Sequence, residues 1–116
     1  MQQSNNLSTR TTNFAVDTIF FTKTIPLTAY NKPLITQLVR SSTSIGANYH
    51  ESTEAQTRND FIHKISICKK EARETLYWLD VIQKTNPDLK IDVLVSEVSQ
   101  LIRIFAASMR TAKQNA

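Results

Sequence analysis

Apolar residues recur at three- and four-residue steps in four separate stretches of this chain, the spacing of one face of an α-helix. The first stretch covers residues 13–25. Phe14, Phe21 and Ile25 share one face, Ala15 and Ile19 a second, and Val16 and Phe20 a third. A helix apolar on several sides is buried on several sides. In so short a chain, this predicts contact with another subunit. Phe14, Phe20 and Phe21 are the candidate interface residues, with Ile67 and Trp78 from the third helix.

Pro26 ends the first helix, and Lys32-Pro33 opens the second. Proline suits a first helical turn, where its missing N–H has no partner to lose. The second helix is predicted over residues 33–55, with Leu34, Ile35, Leu38, Ser42, Ile45 and Tyr49 facing the core. Beside that stripe run Arg40, Ser44, Asn48 and Glu51. Polar groups next to a core must find partners or cost about 1–3 kcal/mol each. The line therefore predicts a hydrogen-bond network between helices or subunits, with Arg40 or Arg58 as the partner of Glu51. Gly46 sits in mid-helix, where glycine costs roughly 1 kcal/mol relative to alanine. Close approach of a second helix is the expected compensation.

After a polar junction at residues 52–57, the third helix is predicted over 58–84. Phe61, Ile65, Cys68, Ala72, Leu76, Leu79 and Ile82 form its core stripe. Asp60 and Lys64, and Lys70 and Glu74, are expected to pair at i,i+4. Lys69, Lys70, Arg73, Tyr77 and Lys84 fall on the opposite face. Asn86, Pro87 and Asp88 then read as the opening of a fourth helix that runs to about residue 112. Its stripe is Ile91, Leu94, Val98, Leu101, Phe105 and Met109, and its cations are Arg103, Arg110 and Lys113. Residues 1–11 read as a flexible polar tail, 12–113 as the helical domain, and 114–116 as a second tail. Four amphipathic helices joined by short turns predict an all-α fold: a single-domain, antiparallel up-and-down four-helix bundle.

Composition supports the helical reading. One glycine and three prolines in 116 residues are too few for a turn-rich β fold. An apolar fraction of 41% with 21% charged residues argues against global disorder. The net charge of +4 permits an acidic partner without requiring one. A single cysteine, Cys68, excludes an internal disulfide and suits a reducing compartment. The polar start of the chain and the lack of any run near 20 apolar residues predict a cytoplasmic protein that does not cross a membrane.

Candidate chemistry is sparse. A chain with one glycine has no Gly-rich phosphate loop. His50 and His63 fall on different predicted helices, so no metal is expected. Cys68 lies in a core stripe and reads as a small buried hydrophobe. Glu51, Glu71 and Glu74 are the only carboxylates that invite an acid–base reading, and pairing with arginine is the expected use of them. No catalytic residue, cofactor or metal is therefore predicted. The cations Lys69, Lys70, Arg73, Lys84, Arg103, Arg110 and Lys113, with Tyr77 among them, are the candidate nucleic-acid surface. Phosphates need arrayed cations, and an exposed aromatic ring can stack on a base.

Three runs carry a family resemblance: Ser44-Ile45-Gly46-Ala47-Asn48-Tyr49-His50-Glu51, Asp60-Phe61-Ile62-His63-Lys64-Ile65, and Lys70-Glu71-Ala72-Arg73-Glu74-Thr75-Leu76-Tyr77-Trp78-Leu79. In this order they resemble the bacterial four-helix-bundle proteins encoded in intervening sequences of 23S ribosomal RNA genes. The accessory variability determinant of diversity-generating retroelements is a relative of that family. The resemblance implies a non-enzymatic bundle assembled into a ring-like homopentamer. For the retroelement relative, it implies binding to a reverse transcriptase and to nucleic acid through a basic surface. Ser44, Asn48 and Glu51 match the family signature as structural positions. Two functional readings follow: a nucleic-acid-binding accessory factor, and a protein-interaction scaffold with no nucleic-acid role.

Overall fold

A computed structural model of the chain describes residues 3–115, with side chains from Leu7 onward. Among the described residues there are four helices and no strand: α1 (Gln3–Thr22), α2 (Asn31–Ser52), α3 (Arg58–Thr85) and α4 (Asp92–Gln114). Each helix packs on the next, and α4 returns to touch α1 over a smaller area. The diagonal pairs α1/α3 and α2/α4 make no close backbone approach. The molecule measures 48 × 25 × 19 Å. α3, at about 1.5 Å per residue, runs most of its length.

The core stripes of α2, α3 and α4 are those the periodicity predicts. Leu38, Ile45, Ile65, Cys68, Ala72, Leu79, Ile82, Val98, Leu101 and Phe105 are all fully buried or nearly so. Phe105 fills the centre, tilted against the Tyr49 ring of the diagonal helix with centroids 6.5 Å apart. Side-chain hydrogen bonds link Asn31 to Asn86, Ser41 to Thr75 and Glu51 to Lys64. Residue numbers rise on α2 as they fall on α3, so these two helices are antiparallel.

Three boundaries differ from expectation. Helix α1 begins at Gln3 rather than 13, so most of the expected tail is helical; residues 1 and 2 lie outside the described residues. Its buried stripe is Thr11, Phe14 and Thr18, with Leu7 and Phe21 packed alongside. The threonines hide the stripe from a hydrophobicity reading. They are tolerated because each hydroxyl donates within its own helix, Thr11 to the Leu7 carbonyl at 2.9 Å and Thr18 to the Phe14 carbonyl at 2.8 Å. The helix closes in tight turns just before Pro26, and Ile25 is buried beyond its end.

Helix α2 stops at Ser52, short of the expected 55, and Thr57 begins the next helix by accepting a hydrogen bond from the Asp60 N–H. Helix α4 starts at Asp92, several residues later than Pro87. Asn86 does not open it. Asn86 terminates α3 through the Ile82 carbonyl and exchanges amide hydrogen bonds of 3.0 and 2.9 Å with Asn31. Leu89 and Ile91 meanwhile turn inward onto the core.

At Gly46, α1 approaches α2 closely. A β-carbon there would lie 3.2 Å from Thr11 Oγ1 and 3.3 Å from its Cβ. Thr11 is held by its bonds to the Leu7 and Ser8 carbonyls, so it yields little. Gly46→Leu is expected to destabilise the fold by about 1–3 kcal/mol through overpacking. In Gly46→Ala, helix propensity offsets the crowding to within about 1 kcal/mol. Urea unfolding of the two variants checks the difference.

Cys68 is buried in the core, and burial pushes its thiol up to about 12 from 9.0. At any pH between 7 and 8 the native thiolate population is then about a thousandfold below that of a free thiol. A thiol reagent is expected to leave the native protein unmodified and to react rapidly after denaturation.

Candidate nucleic-acid interface

The outer face of α3 carries the predicted basic row. Lys70, Arg73, Tyr77 and Lys84 are exposed, and Lys69 is half-buried along its stem. On α4, Arg103, Arg110 and Lys113 are exposed. Among the described residues, no carboxylate lies within ion-pair distance of Lys69, Lys70, Arg73, Arg103, Arg110 or Lys113. Lys84 differs: it donates to Asp80 at 2.7 Å. It adds less to the local field than the sequence implies.

Two acidic side chains of α3, Glu71 and Glu74, are engaged from α2. Arg40 of α2 reaches both Glu71 and Glu74. Glu74 also accepts a hydrogen bond from the Trp78 indole at 3.1 Å. That bond, and then Arg40, hold the Glu74 carboxyl below the usual carboxylate range. The expected i,i+4 pair of Lys70 with Glu74 therefore does not form as a contact, because Arg40 and Trp78 occupy the carboxylate. Lys64 likewise passes over Asp60 and donates to Glu51 at 2.9 Å. Neither Arg40 nor Arg58 pairs with Glu51, because Lys64 lies opposite it on the antiparallel helix.

The line Arg40, Ser44, Asn48 and Glu51 divides. Ser44 donates to the Arg40 carbonyl and Asn48 to the Ser44 carbonyl, each at 2.8 Å, so both stay within α2. Only Arg40 and Glu51 cross to α3. The buried inter-helix bond runs instead from Thr75 to Ser41, at 2.9 Å. Both residues sit at core-stripe spacing, Ser41 three after Leu38 and Thr75 three after Ala72, and that spacing was the signal available for them.

The interface candidates also divide. Phe14 is 2% exposed and belongs to the core of its own chain, so it offers no surface to a neighbour. Phe21, Ile67 and Trp78 are half-buried. Phe20 is 58% exposed and continues an apolar strip with Val16 and Ile19 on the outside of α1. Lys23 lies over its ring, 4.9 Å from the centroid.

Between α3 and the start of α4 lies an open groove. Arg73, Tyr77 and Asp80 line it from one side, and Ile91, Asp92 and Val95 from the other. Among the described residues, no group of three histidine, cysteine or acidic side chains is placed to hold a metal. No helix there is long and apolar enough to cross a membrane.

The family model for the 23S rRNA-intervening sequence protein matches residues 3–107. The chain belongs to that family. The match takes in all of α1 to α3 and most of α4, so it includes the α3 cations, Arg103 and the Arg40 cluster, and ends before Arg110 and Lys113. A crystal structure of a protein of unknown function from the S23 ribosomal protein family of Bacteroides thetaiotaomicron VPI-5482 is similar. It is 29% identical, covers 94% of this chain and 99% of its own, and superposes with a TM-score of 0.85. No curated protein matches the chain. Family membership thus agrees with the resemblance carried by the runs at Ser44, Asp60 and Lys70.

Proposed function

We propose that this family member is a non-catalytic, homo-oligomeric accessory protein that binds RNA or DNA through the outer faces of α3 and α4. One observation carries the reading: among the described residues Lys69, Lys70, Arg73, Arg103, Arg110 and Lys113 form no ion pair with a carboxylate, while Arg40 engages Glu71 and Glu74. Uncompensated cations in a row are what a phosphate backbone needs. Engagement of Glu51, Glu71 and Glu74 in ion pairs, and burial of Cys68, support the non-catalytic part. The antiparallel α2/α3 pair and the contact of each helix with the next support an up-and-down bundle. A reverse transcriptase is the partner that the resemblance to the retroelement relative implies, and the cytoplasm is the compartment that the sequence predicts.

Binding to a structured RNA and to duplex DNA, followed across salt concentrations, tests this. For duplex DNA, log K is expected to fall with log salt at a slope of about −0.9 per neutralised phosphate, giving about −3 to −5 for this patch. A flat response, or no retention at low salt, overturns it.

The second reading, a protein scaffold, is favoured by the exposed strip of Val16, Ile19 and Phe20. An apolar face of this kind is best covered by another chain. Both readings use the strip for self-association, and the family resemblance implies five copies in a ring. Light scattering is expected to give several chain masses, and the mass of a single chain refutes the oligomer.

A further inference from the structure

The groove between α3 and α4 holds chemistry that phosphate binding leaves unused. It encloses about 570 Å³, within the roughly 300–1,000 Å³ of small-molecule sites. Leu76, Ile91 and Val95 make its apolar floor. Tyr77 forms a wall, 58% exposed, with its ring braced edge-on by Trp78 at a centroid distance of 4.9 Å. Two carboxylates from different helices, Asp80 and Asp92, and the Arg73 guanidinium complete the lining. Asp80 already accepts a hydrogen bond from Lys84 through Oδ1. The Asp92 side chain has no hydrogen-bond or ion-pair partner among the described residues.

We propose that this groove takes one unpaired guanine base from a bound nucleic-acid strand, a reading that rests on the nucleic-acid role proposed above. The argument is complementarity. An aromatic base has a face for Tyr77 and the apolar floor. The two carboxylates accept hydrogen bonds and donate none, so they select the base edge richest in donors, while the Arg73 guanidinium at the same groove is left to a phosphate or a base carbonyl. Guanine presents N1–H and the N2 amino group side by side, and one carboxylate accepts from both. Uracil and thymine flank a single N–H with two carbonyls, which face carboxylates unfavourably. Adenine and cytosine set one amino group beside an acceptor nitrogen.

The strand's phosphates are met separately. Arg73, Lys70 and Lys69 precede Tyr77 by about 6 to 12 Å along the helix axis. That is one to two nucleotide spacings, so the backbone lies on the cations while the base turns into the groove. The same cations disfavour a basic peptide as the occupant. Unpaired bases, whose Watson–Crick edges are free, are the usual targets of such readout in RNA.

The test uses the full chain and fluorescence anisotropy at about 50 mM salt, where phosphate contacts are strong. The probes are short oligouridylates carrying guanosine, inosine, adenosine or uridine at one central position. The guanosine probe is expected to bind about tenfold more tightly than uridine alone. Inosine, which lacks the N2 amino group, is expected to lose most of that advantage. Asp92→Asn is expected to remove the guanosine preference while leaving the uridine probe within about twofold. Tyr77→Ala is expected to weaken every probe about tenfold, with Tyr77→Phe restoring it.

Equal binding of the four probes by the unaltered protein overturns the base site and leaves phosphate binding standing. A guanosine preference that survives in the Asp80→Asn, Asp92→Asn double variant also overturns it. Failure to bind any probe overturns the nucleic-acid role and the base site together. The comparison of probes needs no variant, so it does not depend on how any substitution folds.

Discussion

Phe105→Ala is expected to lower the unfolding free energy by about 3–5 kcal/mol. Phe105 is fully buried and meets Tyr49 across the middle of the molecule, between two helices whose backbones do not approach. Removing the ring leaves a cavity that those backbones cannot close without breaking their contacts with α1 and α3. A domain of this size has about 5–15 kcal/mol in total, so the variant loses a large part of it. Its Tm is expected to fall by more than about 10 °C. Phe105→Leu keeps most of the volume and is expected to cost less than about 2 kcal/mol. Calorimetry of both variants checks the prediction. Similar Tm values for the two would show that the centre repacks and that Phe105 is not its keystone.

The second large effect concerns binding. Replacing Lys69, Lys70 and Arg73 by glutamate is expected to reduce affinity for duplex DNA on the order of a thousandfold at low salt. Each phosphate contact contributes about one logarithmic unit there through counterion release, and three are lost. The slope of log K against log salt is expected to shrink by about 3. Lys70 and Arg73 are exposed, and none of the three cations has an ion-pair partner among the described residues, so the fold has little reason to change. Unchanged binding in a folded triple variant places the interface elsewhere. The Glu71 and Glu74 cluster serves as a control. Arg40→Ala frees Glu71 and Glu74, of which Glu74 lies one turn after Lys70 and within reach of its charge, and is expected to weaken binding far less than the triple variant.

Much of this architecture was legible in the order of residues. Periodic apolar positions located α2, α3 and α4 and named most of their buried side chains, from Leu38 through Phe105. Gly46 announced a close helix approach, and Thr11 of α1 supplies it. The outward position of Lys70, Arg73, Tyr77, Arg103 and Arg110 followed from the same periodicity, because a residue opposite a core stripe has nowhere else to point.

Tertiary structure decided the rest. The first half of α1 reads as a polar tail because its fully buried position is Thr11, and only packing against Gly46 of α2 makes that burial worthwhile. The start of α4 moved to Asp92 because Asn86 is taken up by Asn31, a residue 55 positions away. Which carboxylate each cation meets also lay outside the sequence: Glu51 with Lys64, Glu71 and Glu74 with Arg40. The groove of Arg73, Tyr77, Asp80 and Asp92 needs two helices set side by side. Periodicity along one helix records how far each residue is from water, which is a local property. Partners across helices depend on the axial register and rotation between them, which the whole core sets at once.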